Sequence, residues 1–256
     1  MKHNHIFAAL AGSIAVCTAL TGCASAAPDV NAEQTAAAAA TITLNGGSAS
    51  VQGKGAAVQG TVITISDAGT YRITGTLDDG QIVIDAGKDD AVTLVLDNAN
   101  ISCSNSAGIY AKQAGTTTLL LQDGTQNSVS DAAQYAYPDG GDEPDAAIFA
   151  KDDLTIAGSG TLTVTGSFNN AIGSKDNLLI ESGTLIVTAA NDGLRGRDSV
   201  TITDGNFTID AQGDGIKSNN DEDAEKGWIT LSGGVYQITA GNDGIQAETD
   251  MTITGG

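Results

Sequence analysis

Three carboxylates recur inside one short phrase. The chain reads Asn191-Asp192-Gly193-Leu194, then Gly213-Asp214-Gly215-Ile216, then Asn242-Asp243-Gly244-Ile245. The intervals between the acids are 22 and 29 residues, the second lengthened by the insertion Ser218-Asn219-Asn220-Asp221-Glu222-Asp223-Ala224-Glu225-Lys226-Gly227. A chain wound once per interval stacks Asp192, Asp214 and Asp243 in one line about 4.8 Å apart. At that spacing like charges repel by roughly 1 kcal/mol in water and about 3 to 4 kcal/mol at an effective dielectric near 20, so the line calls for a cation. Oxygen ligands from these acids, with Asn191 and Asn242 beside them, suit Ca²⁺; no His or Cys stands near to favour zinc. A second reading stays open. Asn-Asp-Gly also serves a tight turn with positive φ, and Asx side chains ladder by bonding to backbone without metal. Asp198 and Asp204, single acids on turns, fit that structural reading.

Basic residues are few, and five of them fall in phase with the repeat. Arg195 and Lys217 each follow a ladder acid by three residues; Lys151, Lys175 and Arg197 share another phase on consecutive repeats. Beside a calcium line, such a column can neutralise a polyanionic sugar chain lying along the axis; the alternative is that these cations balance neighbouring Asp residues. Asp221 in the insertion can bring further oxygen to the same edge. Trp228, the single tryptophan, can stack on a sugar ring or shield a corner of the repeat. If the chemistry were that of a lyase, Lys217 or Arg195 would be the base that removes the proton beside a calcium-bound uronate carboxyl. No independent sign of a tuned base accompanies them.

The elements that position these residues are strands. Leu178-Leu179-Ile180, Val200-Thr201-Ile202 and Ile229-Thr230-Leu231 align with one another. So do Leu185-Ile186-Val187, Phe207-Thr208-Ile209 and Tyr236-Gln237-Ile238, each following a Gly-bearing turn. Apolar residues alternate at a period of two, which puts Leu178, Ile180, Leu185 and Val187 on one face. The Asp-Gly-apolar phrase opens a third, shorter strand. Three strands in about 22 residues leave no room for a helix and predict an all-β, right-handed parallel β-helix, one rung per repeat. Strand text starts near Thr41, with an atypical covering rung expected within 41–71. The stretch 130–144 breaks the period and is expected to project as a loop. The text stops at Gly255-Gly256 without a capping rung. That open strand edge predicts a longer protein, with a covering partner as the alternative.

Composition agrees with thin strands around an aliphatic core: 4% aromatic, 16% charged and 33 glycines. The first residues form a short basic start and an apolar run too short to span a bilayer, ending Leu20-Thr21-Gly22-Cys23. This predicts a signal peptide over 1–22, lipidated Cys23 as a membrane anchor and an Ala-rich tether over 23–40, before a domain over 41–256. The alternative is an ordinary signal cleaved near Ala27. The protein would then be extracytoplasmic at a bacterial membrane or cell surface, with Cys103 unpaired. Loss of Lys2 leaves 10 basic residues against 31 acidic ones, a balance of −21, which makes nucleic acid an unfit partner.

The Asn-Asp-Gly phrases, the turns Ile202-Thr203-Asp204-Gly205, Leu231-Ser232-Gly233-Gly234 and Ile253-Thr254-Gly255-Gly256, and the lipobox together resemble the bacterial carbohydrate-binding β-helix family, pectate-lyase-like in fold, whose members bind calcium, polygalacturonate and cellulose. The resemblance covers roughly 41–256. It implies calcium sites at Asp192, Asp214 and Asp243 and a polysaccharide partner. The expectation is therefore a surface-anchored, Ca²⁺-dependent binder of acidic polysaccharide. A polysaccharide lyase and a calcium-stiffened stalk or adhesin are the alternatives.

Overall fold

The computed structural model describes residues 38–137 and 140–256; the signal, the lipidation site Cys23 and nearly all of the tether lie outside the described residues. Within them every element is a strand, arranged as a parallel β-helix of about seven turns. The register follows the repeat in the text. Leu178 pairs with Val200 and Val200 with Ile229. Leu185 pairs with Phe207 and Phe207 with Tyr236. The short strands Leu194–Gly196, Ile216–Ser218 and Ile245–Ala247 stack on the third face.

Alternation decides what faces inward. In Asn206–Ala211 the residues Phe207, Ile209 and Ala211 are buried while Asn206, Thr208 and Asp210 are exposed. Repeated over the turns, this stacks like side chains into columns, and Phe207 lies parallel to Tyr236 with centroids 4.9 Å apart. The strands form a nine-stranded and a fifteen-stranded sheet. The larger one is continuous because the long strand Ala91–Ser102 pairs with Thr116–Leu121 through its first half and with Gln126–Ser130 through its second. It bends at Asn98, whose φ is 54°. At the N-terminal end the parallel pattern gives way to two antiparallel pairs, Ala40–Gly46 with Ala49–Gly53 and Ala56–Gln59 with Val62–Ile65. Their buried Ile42, Leu44, Ile63 and Ile65 belong to the same core.

Glycine serves two different needs. Gly183 and Gly205 turn the chain between two faces with φ of 116° and 134°, values an L side chain rarely adopts. Gly193, Gly215 and Gly244 of the Asp-Gly phrases are not in that region. A Cβ on Gly215 would lie 2.4 Å from Ile238 Cγ2 and 2.6 Å from the Gly244 carbonyl oxygen, so close rung packing excludes it. Positive φ is therefore not what those turns require. Gly215→Ala is expected to lower stability by about 2 kcal/mol in urea unfolding through overpacking. Gly244→Ala, where the added atom meets nothing within 4 Å, should be near neutral.

Residues 131–137 and 140–145, between strands Gln126–Ser130 and Ala146–Ala150, do not project. They fold back on the helix because they carry aromatic residues that find partners there. Tyr135 stacks on Phe168 at 4.3 Å and donates to Asp131 Oδ2 at 2.6 Å. The Ala136 N–H bonds the Asn105 carbonyl at 2.9 Å, and the Tyr137 hydroxyl donates to the Pro144 carbonyl at 2.7 Å. This returns Glu143 and Asp145 to the nine-stranded sheet.

Candidate functional site

The ladder acids stand on consecutive rungs, and their inner oxygens are engaged by backbone. Asp192 Oδ1 accepts the Asp214 N–H at 2.9 Å, and Asp214 Oδ1 accepts the Asp243 N–H at 3.0 Å. One rung earlier Asn170 Oδ1 accepts the Asp192 N–H at 3.2 Å and the Asn191 side-chain amide at 3.1 Å. Asn170 is a ladder member the sequence reading missed, because Asn169-Asn170-Ala171 lacks the Asp-Gly phrase; the interval of 22 residues back from Asp192 was the available signal.

The outer oxygens of the two buried acids meet a cation from the chain itself. Lys217 Nζ lies 2.7 Å from Asp214 Oδ2 and 3.5 Å from Asp192 Oδ2, and those two side chains are only 6% and 4% exposed. Burial pushes Asp214 upward, but the Lys217 ammonium and the Asp243 N–H outweigh it and hold its carboxyl below the ordinary range. Burial pulls Lys217 down; the two carboxylates more than offset it, so its pKa stands above the ordinary lysine value.

The remaining in-phase cations are paired as well. Arg195 sits next to Lys217 in register. Its guanidinium donates to Asp145 Oδ2 at 3.0 Å and to Asn219 Oδ1 at 3.1 Å. Burial drives the Asp145 carboxyl upward despite Arg195. Glu143 bridges Lys151, at 2.8 Å, and Lys175; burial pushes it up, yet the two ammonium groups hold it below the ordinary glutamate range. Arg197 pairs with Glu222 of the second insertion. That insertion is shaped by Asn220, whose Oδ1 accepts the N–H groups of Glu222 and Asp223 at 3.0 Å each. Its end is held by Lys226 on the buried Asp198 at 2.7 Å. Each of these cations thus stands against an acidic side chain.

Below the ladder lies an open, polar cleft of about 650 Å³. It brings together the carboxylates of Asp214, Asp221, Asp243 and Glu248, the amides of Asn219, Asn242 and Gln246, and the Lys217 ammonium. Asp243, Asn242, Asp221 and Lys217, named from sequence for different reasons, meet here; Asn191, Asp192 and Arg195 lie a rung back. Trp228 does not join them. It pairs in register with Ser199 on the larger sheet and lines a shallow cleft with Leu179 and Thr201. The side chains of Asp221, Asp243 and Glu248 accept no hydrogen bond and enter no ion pair among the described residues. No three acids, histidines or cysteines among the described residues converge into a metal cage of their own.

Residues 59–256 match the model of the carbohydrate-binding domain-containing protein family. The chain belongs to this family. A carbohydrate-binding domain-containing protein from Acetivibrio thermocellus is 40% identical over 183 residues, 70% of this chain. The chain spans 64% of the length of that relative. The solved structure of a polysaccharide lyase-like protein from C. thermocellum, a gadolinium derivative, shares 35% identity with a TM-score of 0.78, covering 84% of this chain and 96% of that one. In this carbohydrate-binding domain the two side chains considered as lyase bases are poorly placed to accept a proton. Lys217 is held in its charged form by two carboxylates, and Arg195 is clamped between Asp145 and Asn219.

Proposed function

We propose that this domain captures an acidic polysaccharide through a calcium ion shared between protein and sugar at the cleft below the ladder. The observation that carries the reading is the set of rim oxygens that one cleft brings together. Asp221, Asp243 and Glu248 face one cleft beside the amides of Asn219, Asn242 and Gln246. An all-oxygen set of this kind fits Ca²⁺, which takes six to eight such ligands. Because the protein groups do not close a cage by themselves, the uronate carboxylate and water would complete the shell. The ion supplies the charge that lets a strongly acidic chain hold a polyanion. Lys217, already between two acids, screens the inner wall.

Attachment outside the cytoplasm through a lipid on Cys23 belongs to the same reading and rests on the Leu20-Thr21-Gly22-Cys23 phrase. Mass analysis of the mature N-terminus should find a diacylglyceryl cysteine; an N-terminus beyond Ala27 would refute it.

Pull-down on polygalacturonate with calcium or EDTA tests binding. Retention in calcium and release in EDTA is expected, and Asp221→Asn/Asp243→Asn/Glu248→Gln should flow through in both. Retention unchanged by EDTA would sink the proposal. Product absorbing in the ultraviolet would identify a lyase instead, and a calcium-raised melting temperature without retention on any sugar would identify a stalk.

A further inference from the structure

The outward residues of the nine-stranded sheet make one column. Val83 stands beside Tyr110, Tyr110 beside Phe149, Phe149 beside Gly173, Gly173 beside Arg195, and Arg195 beside Lys217. Its chemistry changes half-way. Before Gly173 the column is aliphatic and aromatic; after it, cationic. Residues 140–145 cross at the change, anchored by Glu143 on Lys151 and Lys175 and by Asp145 on Arg195. Phe149 is covered, 3% exposed, whereas Tyr110 stays half-buried.

On the far side of that crossing lies a separate cleft of about 480 Å³, between Val62, Val83 and Tyr110 on the sheet and Tyr137 and Pro144 opposite. Its lining differs in kind from that of the calcium-site cleft. Val62 remains 38% exposed. The charged groups that border it are already neutralised: Lys112 by Asp85 at 2.7 Å and Glu143 by its two lysines. The polar groups left are neutral. Gln81 donates to Ser106 Oγ at 3.1 Å and to the Ala107 carbonyl at 2.7 Å, which leaves its carbonyl oxygen as an acceptor. Asn105 accepts from the Cys103 thiol, which leaves its amide hydrogens as donors.

An apolar and aromatic platform ringed by a few neutral donors and acceptors suits a ring with one C–H face and hydroxyls at its edge. We infer that the cleft between Tyr110 and Tyr137 is a second, calcium-independent subsite that takes a neutral pyranose. Tyr110 is four rungs from Lys217, about 19 Å along the axis. A single glycan can therefore reach both, with neutral residues at the aromatic end and acidic ones at the carboxylate end. That continuity rests on the proposed acidic-glycan reading; the subsite itself does not.

Titration of the full chain with xylohexaose, mannohexaose and galactohexaose in EDTA, followed calorimetrically, tests it. At least one should bind, and Tyr110→Ala should weaken it at least tenfold. Val62→Asp, a surface change that leaves the core intact, should weaken it at least fivefold. Asp221→Asn/Asp243→Asn/Glu248→Gln should bind as the parent does. Binding of none of the three sugars, or loss in the triple variant with Val62→Asp unaffected, would overturn the subsite. Either outcome is independent of calcium-dependent retention on polygalacturonate, so the two readings fail separately.

Discussion

Replacing Lys217 with methionine is expected to cost about 3 kcal/mol of stability, the lower end of what breaking a buried ion pair costs. The substitution keeps the aliphatic stem but leaves Asp192 and Asp214 facing each other without a counter-ion, 4% and 6% exposed on adjacent rungs. Lys217 itself is 25% exposed, and partial hydration keeps the loss from being larger. For a chain of this size the midpoint of thermal unfolding should fall by about 6 to 12 °C.

The pH dependence has a definite sign. Asp214 has its folded pKa depressed. Its contribution is present above the ordinary carboxylate value of about 3.9 and is lost as pH falls through the folded value. Lys217 has its folded pKa raised, so its contribution is complete below about 10.4 and is lost as pH rises through the folded value. The gap between parent and Lys217→Met should therefore be flat from about pH 5 to 9 and narrow in acid. Lys217→Met/Asp214→Asn should recover about half of the loss. An amide oxygen can still accept the Asp243 N–H, as Asn170 does for Asp192 one rung earlier. Urea unfolding followed by circular dichroism decides; a single variant within about 1 kcal/mol of the parent would mean that the ladder is not held by this ion pair.

Calcium and oligogalacturonate should each raise the other's affinity at least tenfold, a coupling of about 1.4 kcal/mol. Calcium alone should bind weakly, on the order of 10⁻⁴ to 10⁻³ M, as expected where the protein furnishes an incomplete shell. Sugar alone should bind too weakly to measure, since a domain this acidic repels it. Linkage requires the two enhancement factors to be equal, so calorimetry run in both orders has an internal check. Asp221→Asn/Asp243→Asn/Glu248→Gln should abolish the coupling while leaving the fold intact, because none of those carboxylates supports another group among the described residues. Equal calcium affinity with and without sugar would refute a shared ion.

Much of this protein could be read from the text because a solenoid writes its register as a period. The pairing of Leu178 with Val200 and Ile229, and the stacking of the Asp-Gly phrases, are local repetition made spatial. Even there one rung was hidden: Asn170 keeps the ladder's geometry with a different side chain.

What the sequence determined by itself was the architecture and the line of acids, since alternation and period alone dictate which side chains point the same way from turn to turn. Which groups neutralise which was settled by three-dimensional packing alone. Arg195 finds Asp145 from 50 residues away and Lys175 finds Glu143 from 32, across a segment with no period that the sequence reading sent outward. Trp228 and Lys217, eleven residues apart in the chain, are turned to different sheets by the insertion between them. Ion pairing depends on where irregular segments land on a regular surface, and that is set by the packing of Tyr135 on Phe168, which no repeat encodes.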